Sequence, residues 1–217
     1  MTLFYFVVAS LPVALYLLTL TWVHCRSVPL VVNGRHDFLI LCSALSGVFF
    51  IGPGQLLVTW GAAAFWGKYV WILIAALCYL VAALIAANLR PRLIIYNVAK
   101  DSLKKTLTTT ALSLDDEACW SGVSLNMPSL GVQFYVDFSG VGRVASLIQI
   151  GNERSKEGWA KFCKALAGNL RQVEQPRRYF ASVLFLIISA VLLTIDFLAV
   201  LLHGDALNEA VEFYLSV

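Results

Sequence analysis

Few residues in this chain combine a reactive side chain with an unusual setting. Asp196 is the one carboxylate within the apolar run Phe180 to Leu202. A charged side chain at the centre of a membrane helix costs about 3 kcal/mol on insertion scales and more in simulation, so the position points to proton or cation handling. The ordinary alternative is a protonated or partly hydrated acid bonded to Thr194, His203 or another helix. Gly52, Pro53 and Gly54 interrupt a different apolar run. Proline removes a backbone donor and clashes with the preceding turn, and flanking glycines let the chain open. Opened backbone at membrane depth lines ion sites in transporters, whereas a plain kink or tilt is the commoner result of such a triplet.

The other reactive groups are less organised. Asp115, Asp116 and Glu117 form the only acidic cluster; it falls at a predicted helix-to-strand turn, where a solvated cluster is expected rather than a cation site. Cys25, Cys42, Cys78, Cys119 and Cys163 make no C-x-x-C pair, and His24, His36 and His203 are scattered, so no metal site is expected. His24, Cys25, His36 and Asp37 share one predicted loop, read as an interfacial connection rather than a nucleophile and base. Ser139-Gly140-Val141-Gly142 departs from both nucleotide-binding patterns and reads as a hairpin. No cofactor and no catalytic residue is assigned, and an enzyme is disfavoured.

The elements that must carry these residues follow from hydropathy. Of the 217 residues 59% are hydrophobic and 13% charged, against about a quarter charged in soluble domains. Apolar stretches at about 2–23, 38–66, 69–89 and 180–202 are each long enough to cross a hydrocarbon core about 30 Å thick, which takes about 20 residues. The first is expected to be a retained helix rather than a secretory signal: Met1 to Phe6 lacks a positive charge, and the run is too long. Pro12 predicts a kink within it. The predicted fold class is therefore an α-helical membrane protein of four transmembrane helices with a small inserted α+β domain. Residues 1–89 hold three helices, 90–178 the domain, and 179–217 the fourth helix with a short tail whose Leu207 to Leu215 suits an amphipathic surface segment.

Within the domain, Leu93 to Val98 suits a strand and Asp101 a cap for a helix through Leu114. Ala118 to Leu125, Val132 to Phe138 and Val144 to Ile150 suit strands of an antiparallel meander. The second alternates Val132, Phe134, Val136 and Phe138 with polar or amphipathic residues, as a half-buried strand does. A last helix from an N-cap at Ser155 to about Val173 presents Trp159, Phe162, Leu166 and Leu170 on one face, which should cover the sheet.

Lys and Arg near the helix ends set the orientation. Arg26, Arg35, Arg90, Arg92, Arg177 and Arg178 fall on one predicted side and Lys68 alone on the other, which places residues 90–178 in the cytoplasm and both termini outside. The domain carries 13 basic and 8 acidic residues, a net +5. Arg90, Arg92, Arg177 and Arg178 are expected to meet anionic lipid headgroups. Nucleic acid is not expected, because Phe134 and Phe138 fall on the buried strand face. Ala75, Cys78, Ala82 and Ala86 make a small-residue seam suited to close helix packing, either internal or in a homo-oligomer.

Tyr96-Asn97-Val98, Trp120-Ser121-Gly122, Pro128, Gly131-Val132-Gln133 and Trp159 resemble a domain of uncharacterised bacterial multi-span membrane proteins. The resemblance covers about 85 residues, implies the cytoplasmic membrane of a bacterium and carries over no functional residue. The expected function is a non-enzymatic scaffold or accessory subunit whose domain binds a protein partner. The alternative is a proton- or cation-coupled transporter or channel subunit using Asp196 and the Gly52-Pro53-Gly54 break.

Overall fold

The structure, a computed structural model, describes residues 2–56, 66–67, 69–139, 143–151, 155–173 and 179–216. In chain order its elements are α1 (Thr2–Cys25), β1 (Leu30–Asn33), α2 (Gly34–Ile51), α3 (Pro53–Leu56), α4 (Tyr69–Asn88), β2 (Arg92–Tyr96), α5 (Lys100–Leu114), β3 (Cys119–Ser121), β4 (Ser124–Met127), β5 (Val132–Ser139), β6 (Val144–Ile150), α6 (Lys156–Leu170) and α7 (Tyr179–Ser216). They form two compact units. A helical one takes Met1–Thr21, Phe38–Asn88 and Ser182–Val217, and a sheet unit takes Trp22–Asp37 with Leu89–Ala181.

Four helices are long and apolar enough to cross a membrane by length and composition: Leu3–Cys25, Gly34–Ile51, Tyr69–Asn88 and Phe180–Asp205. The second begins four residues ahead of the expected 38. β1 runs into it without a linker, and Asn33 Oδ1 accepts the Arg35 N–H at 3.0 Å, satisfying a first-turn donor. A Cβ at Gly34 would lie 2.1 Å from Arg92 Cγ, so a larger residue at this junction would have to displace the Arg92 side chain. The same helix stops at Ile51, short of the expected 66. Gly52 N–H still reaches the Val48 carbonyl at 3.1 Å, so the hydrogen-bond ladder persists up to Pro53, which opens α3. Residues 57–65, like Lys68, lie outside the described residues. α7 runs beyond the expected 202 to Ser216, through a non-helical His203 (φ −132°, ψ 28°) beside Gly204, a weak helix former.

The sheet unit starts from prolines. Pro29 and Pro91 stand just ahead of strands, and a residue before proline is pushed out of the α region, so α1 and α4 end before them. Leu30-Val31-Val32 and Leu93-Ile94-Ile95 are apolar runs rich in β-branched residues and suit a pleated surface. The resulting sheet is antiparallel throughout, in the order β1-β2-β6-β5-β4-β3. Three expectations need correcting. The loop between the first two apolar helices supplies an edge strand, pairing Leu30 with Tyr96 and Asn33 with Leu93. Ala118 to Leu125 is two strands rather than one, because Gly122 adopts φ 63° and turns the chain back, pairing Ser121 with Ser124. Asp101 does not cap α5; Ala99 occupies that position without a side-chain bond, and Asp101 lies in the first turn.

Ser155 does cap α6, its side chain accepting the Gly158 N–H at 2.9 Å. Both α5 and α6 pack on one face of the sheet. Leu103, Leu107, Phe162, Leu166 and Leu170 join Ile95, Leu125, Met127, Phe134 and Leu147 in a core at 0–1% exposure. Burying a side chain of this size contributes about 1.5–3 kcal/mol, so this core holds the unit together. β5 and β6 pair as far as Ser139 with Val144; residues 140–142 between them lie outside the described residues.

Candidate functional site

Asp196 lies on α7 at 5% exposure, and its Oδ1 accepts a hydrogen bond from Ser10 Oγ of α1 at 2.6 Å. Its Oδ2 is buried with no partner among the described residues. Thr194, one candidate partner from sequence, bonds instead to the Ala190 carbonyl of its own helix. One heptad back from Asp196, Ser189 is fully buried and donates to the Ala14 carbonyl at 2.9 Å. Ser182, a heptad further, is also buried. Seven-residue spacing keeps side chains on one helix face, so Ser182, Ser189 and Asp196 form a stripe that meets Ser10 and Ala14 of α1. Small and hydroxyl side chains let the two backbones approach and bond across the gap. The signal is present in the sequence as S-x6-S-x6-D, but serines in an apolar run are inconspicuous beside a carboxylate.

On its other side α1 meets α2 closely. A Cβ at Gly47 would lie 1.9 Å from the Val8 carbonyl oxygen, so only glycine fits. Of the small residues on α4, Ala86 is buried, while Ala75, Cys78 and Ala82 line an apolar groove of about 770 Å³ with Cys42 and Ser46 of α2. The hydroxyls of Ser43 and Ser46 turn back to the Leu39 and Ser43 carbonyls, leaving the groove wall apolar. Around Gly52, Pro53 and Gly54 the near contacts are with the preceding turn: a Cβ at Gly54 would meet the Phe49 carbonyl oxygen at 3.0 Å. Asp196 and this triplet share no hydrogen bond; Ser10 is the bonded partner of Asp196.

In the sheet unit the acidic cluster resolves into a strut. Asp115, expected to be solvated, is buried; its carboxylate accepts the Glu117 N–H at 3.0 Å, and the Ser129 N–H and hydroxyl at 2.9 Å each. Burial acts to raise its proton affinity, but these hydrogen bonds outweigh burial and hold the carboxyl below its ordinary value. The turn after α5 is thereby fastened to the turn before β5. Asp116 and Glu117 are exposed.

Tyr96, Asn97, Trp120 and Trp159, singled out in the sequence, are anchors of the sheet unit. Tyr96 Oη donates to Asp37, and Asn97, at φ 58°, gives its side-chain N–H to the Arg26 carbonyl. Both bonds tie the end of β2 to the segment around β1. Trp120 Nε1 donates to Thr108 at 2.9 Å, while Trp159 packs edge-on against Phe134, their ring centres 5.9 Å apart. Each of these groups is engaged within the sheet unit.

The remaining candidates are spread out. Asp37 is engaged by Tyr96, and Cys25 is exposed. Burial pushes the Cys163 thiol up to about 12, so it stays protonated and unreactive near neutral pH. Arg90 is exposed; Arg92 lies partly buried against Gly34, its Nε without a partner among the described residues. Arg177 and Arg178 lie outside the described residues. No group of three or more His, Cys, Asp or Glu among the described residues could hold a metal ion. No family model, curated protein or solved structure matches the chain.

Proposed function

We propose that this chain is a four-span membrane protein of the bacterial cytoplasmic membrane, and that its sheet unit is a cytoplasmic platform that binds a protein partner. The observation that carries this reading is the way the sheet is stitched. Its strands come from both segments that the positive-inside argument places on the cytoplasmic side. The connections are short: Arg26 to Pro29 joins α1 to β1, nothing separates β1 from α2, and Leu89 to Pro91 joins α4 to β2. A domain interleaved with three apolar helices in this way is tethered rather than free, as suits a docking platform. Arg26, whose guanidinium sits 4.7 Å over the Trp22 ring, suits an interfacial position between lipid headgroups and water.

Affinity capture of the full chain from gently solubilised membranes at native abundance should recover a stoichiometric partner protein; a monodisperse, partnerless monomer overturns the platform reading. Orientation has its own test. Cys119 is exposed and should be shielded from an impermeant thiol reagent in intact cells but react after lysis. Lys156→Cys, at an exposed α6 position, should behave the same way, and Ser216→Cys should label from outside. External labelling of Lys156→Cys contradicts the four-span topology. A transport role has one supporting observation, the buried carboxyl of Asp196, and abolition of proton or cation flux by Asp196→Asn in vesicles is its test.

A further inference from the structure

The sheet has two unlike faces. Side chains alternate along a strand, and α5 and α6 cover the face that carries Leu93, Ile95, Phe134 and Leu147. The opposite face carries Arg92, Ile94 and Tyr96 of β2, Tyr135 of β5, and Ile148 and Ile150 of β6. Tyr135, Ile148 and Ile150 are half-buried there and stand outside the core. At the β1–β2 side this face meets the first turn of α2: the Arg92 side chain lies against Gly34, and Tyr96 Oη donates to Asp37. Ile94, between them in the strand, is 5% exposed. We propose that the uncovered face rests on the phospholipid headgroup layer of the membrane that α2 enters, with Tyr135, Ile148 and Ile150 at the boundary between headgroups and acyl chains.

Connectivity, charge and residue type each select a lipid surface as the occupant. Both ends of the β1–β2 ladder are tied to apolar helices. α1 reaches β1 at the Leu30–Tyr96 end through Arg26 to Pro29, while α2 leaves and α4 arrives at the Asn33–Leu93 end. With both ends held at the membrane, the ladder runs along its surface, and the first turn of α2 marks the face that looks toward the bilayer. Charge divides the same way. Arg92 and Asp137 are the charged strand residues on the uncovered side, whereas α5 and α6 present Lys104, Lys105, Lys161 and Lys164 to solvent. Tyrosine and arginine beside aliphatic residues suit a membrane interface, where apolar bodies turn inward and polar tips stay among the headgroups. The α5–α6 side is then the one left to a protein partner.

The inference rests on the four-span reading, and its test separates the two. The full chain, reconstituted in vesicles of phosphatidylcholine and phosphatidylglycerol, carries the photoreactive residue p-benzoylphenylalanine at one position at a time. At Tyr135 and at Ile148, irradiation should yield several-fold more phospholipid adduct, read by mass spectrometry, than at Lys161 on the exposed side of α6. At Tyr135 one aromatic side chain replaces another, which keeps the test decisive if the bulkier change at Ile148 unfolds the sheet. Leu202 of α7, 72% exposed, is the reference and should give lipid adduct if α7 spans the bilayer. Adduct at Leu202 with none at Tyr135 overturns the docking and leaves the four spans standing, and so does cross-linking of Tyr135 to a second copy of the chain. Equal lipid yields at Tyr135 and Lys161 also overturn it, because the contact would then have no preferred face. Absence of lipid adduct at Leu202 overturns the four-span reading and the docking together.

Discussion

The two units differ in the balance of what they bury. In the sheet unit Phe134, Phe162, Leu103 and Leu166 are fully enclosed, and the exposed positions of α5 and α6 are mostly charged or polar. In the helical unit most of the enclosed side chains are small or polar, among them Ala14, Ala44, Ser189, Ser10 and Asp196, with Val70 and Ile74 the larger exceptions, while Ile72, Phe197 and Leu202 face outward at 62–72% exposure. Water drives the first arrangement, because large apolar side chains leave it most favourably. Between helices in hydrocarbon that drive is absent, and close backbone approach with hydrogen bonds across the seam takes its place. The contrast supports the four-span reading, since the outward surface of the helices suits an apolar solvent.

The strongest way to break the contrast is to truncate one large apolar side chain in each unit. Phe162→Ala should cost the sheet unit about 3–5 kcal/mol through lost burial and a residual cavity, a large share of the roughly 5–15 kcal/mol typical of a domain. Leu202→Ala, at a residue 72% exposed, should change stability by less than about 0.5 kcal/mol. Hydrogen exchange on the full chain in vesicles reads both: sheet amides should lose protection in the first variant only. Equal losses would mean that Leu202 packs against something solid and that the helices do not face fluid lipid.

Next in size is the contact of α1 with α2. Gly47→Leu places a Cβ 1.9 Å from the Val8 carbonyl oxygen, which cannot yield, so the helices must part. Overpacking of this kind typically costs about 1–3 kcal/mol. Thermal stability in mild detergent should fall while exchange within the sheet unit stays unchanged; a fall shared by both units would show that they do not unfold separately.

How much of this is legible in the sequence depends on whether the signal is local. Apolar length marks four helices, period-two alternation marks β5, and a serine ahead of an amphipathic run marks the cap of α6. β1 escapes notice because four residues between two apolar helices carry no periodicity of their own. It becomes a strand only through β2, with Asn97 and Tyr96 holding the segment from across the sheet unit. Asp115 reads as surface because acidic residues at turns usually are; its partners lie fourteen residues on, at Ser129. Asp196 is conspicuous, but its partner Ser10 is separated from it by 186 positions. The hairpin at Gly122 is hidden within an apparently continuous strand.

A smaller effect distinguishes the units by acid. The folded-state proton affinity of Asp115 is depressed, so its contribution to stability is present above its ordinary value of 3.8 and is lost as pH falls below that value through the folded one. Asp115→Asn should remove this acid-dependent part. It should also lower stability at neutral pH, because an amide can accept through one atom only and would set its N–H₂ against the Ser129 N–H. Denaturant titrations of the sheet unit's exchange protection between pH 7 and the acid limb should show wild type and variant converging as pH falls. Parallel curves would mean that the carboxylate bonds contribute nothing across that range.

The smallest expected effect runs in the opposite direction and returns to glycine. Gly168 lies on α6 with nothing within 4 Å of where a Cβ would stand and no left-handed backbone angle, in contrast to the crowding at Gly47. Ala fits there without displacing a neighbour, and it restricts the unfolded chain, so Gly168→Ala should stabilise the sheet unit by about 0.4–1 kcal/mol. Gly47→Ala should destabilise the helical unit, because even one methyl meets backbone. Opposite signs for the same substitution would tie the difference to geometry: α6 lies against the sheet through one face and leaves Gly168 on the other, whereas α2 meets α1 at Gly47 backbone to backbone. If both substitutions stabilise, α1 and α2 are not in contact at Val8 and Gly47, and the seam that holds Asp196 loses its neighbouring support.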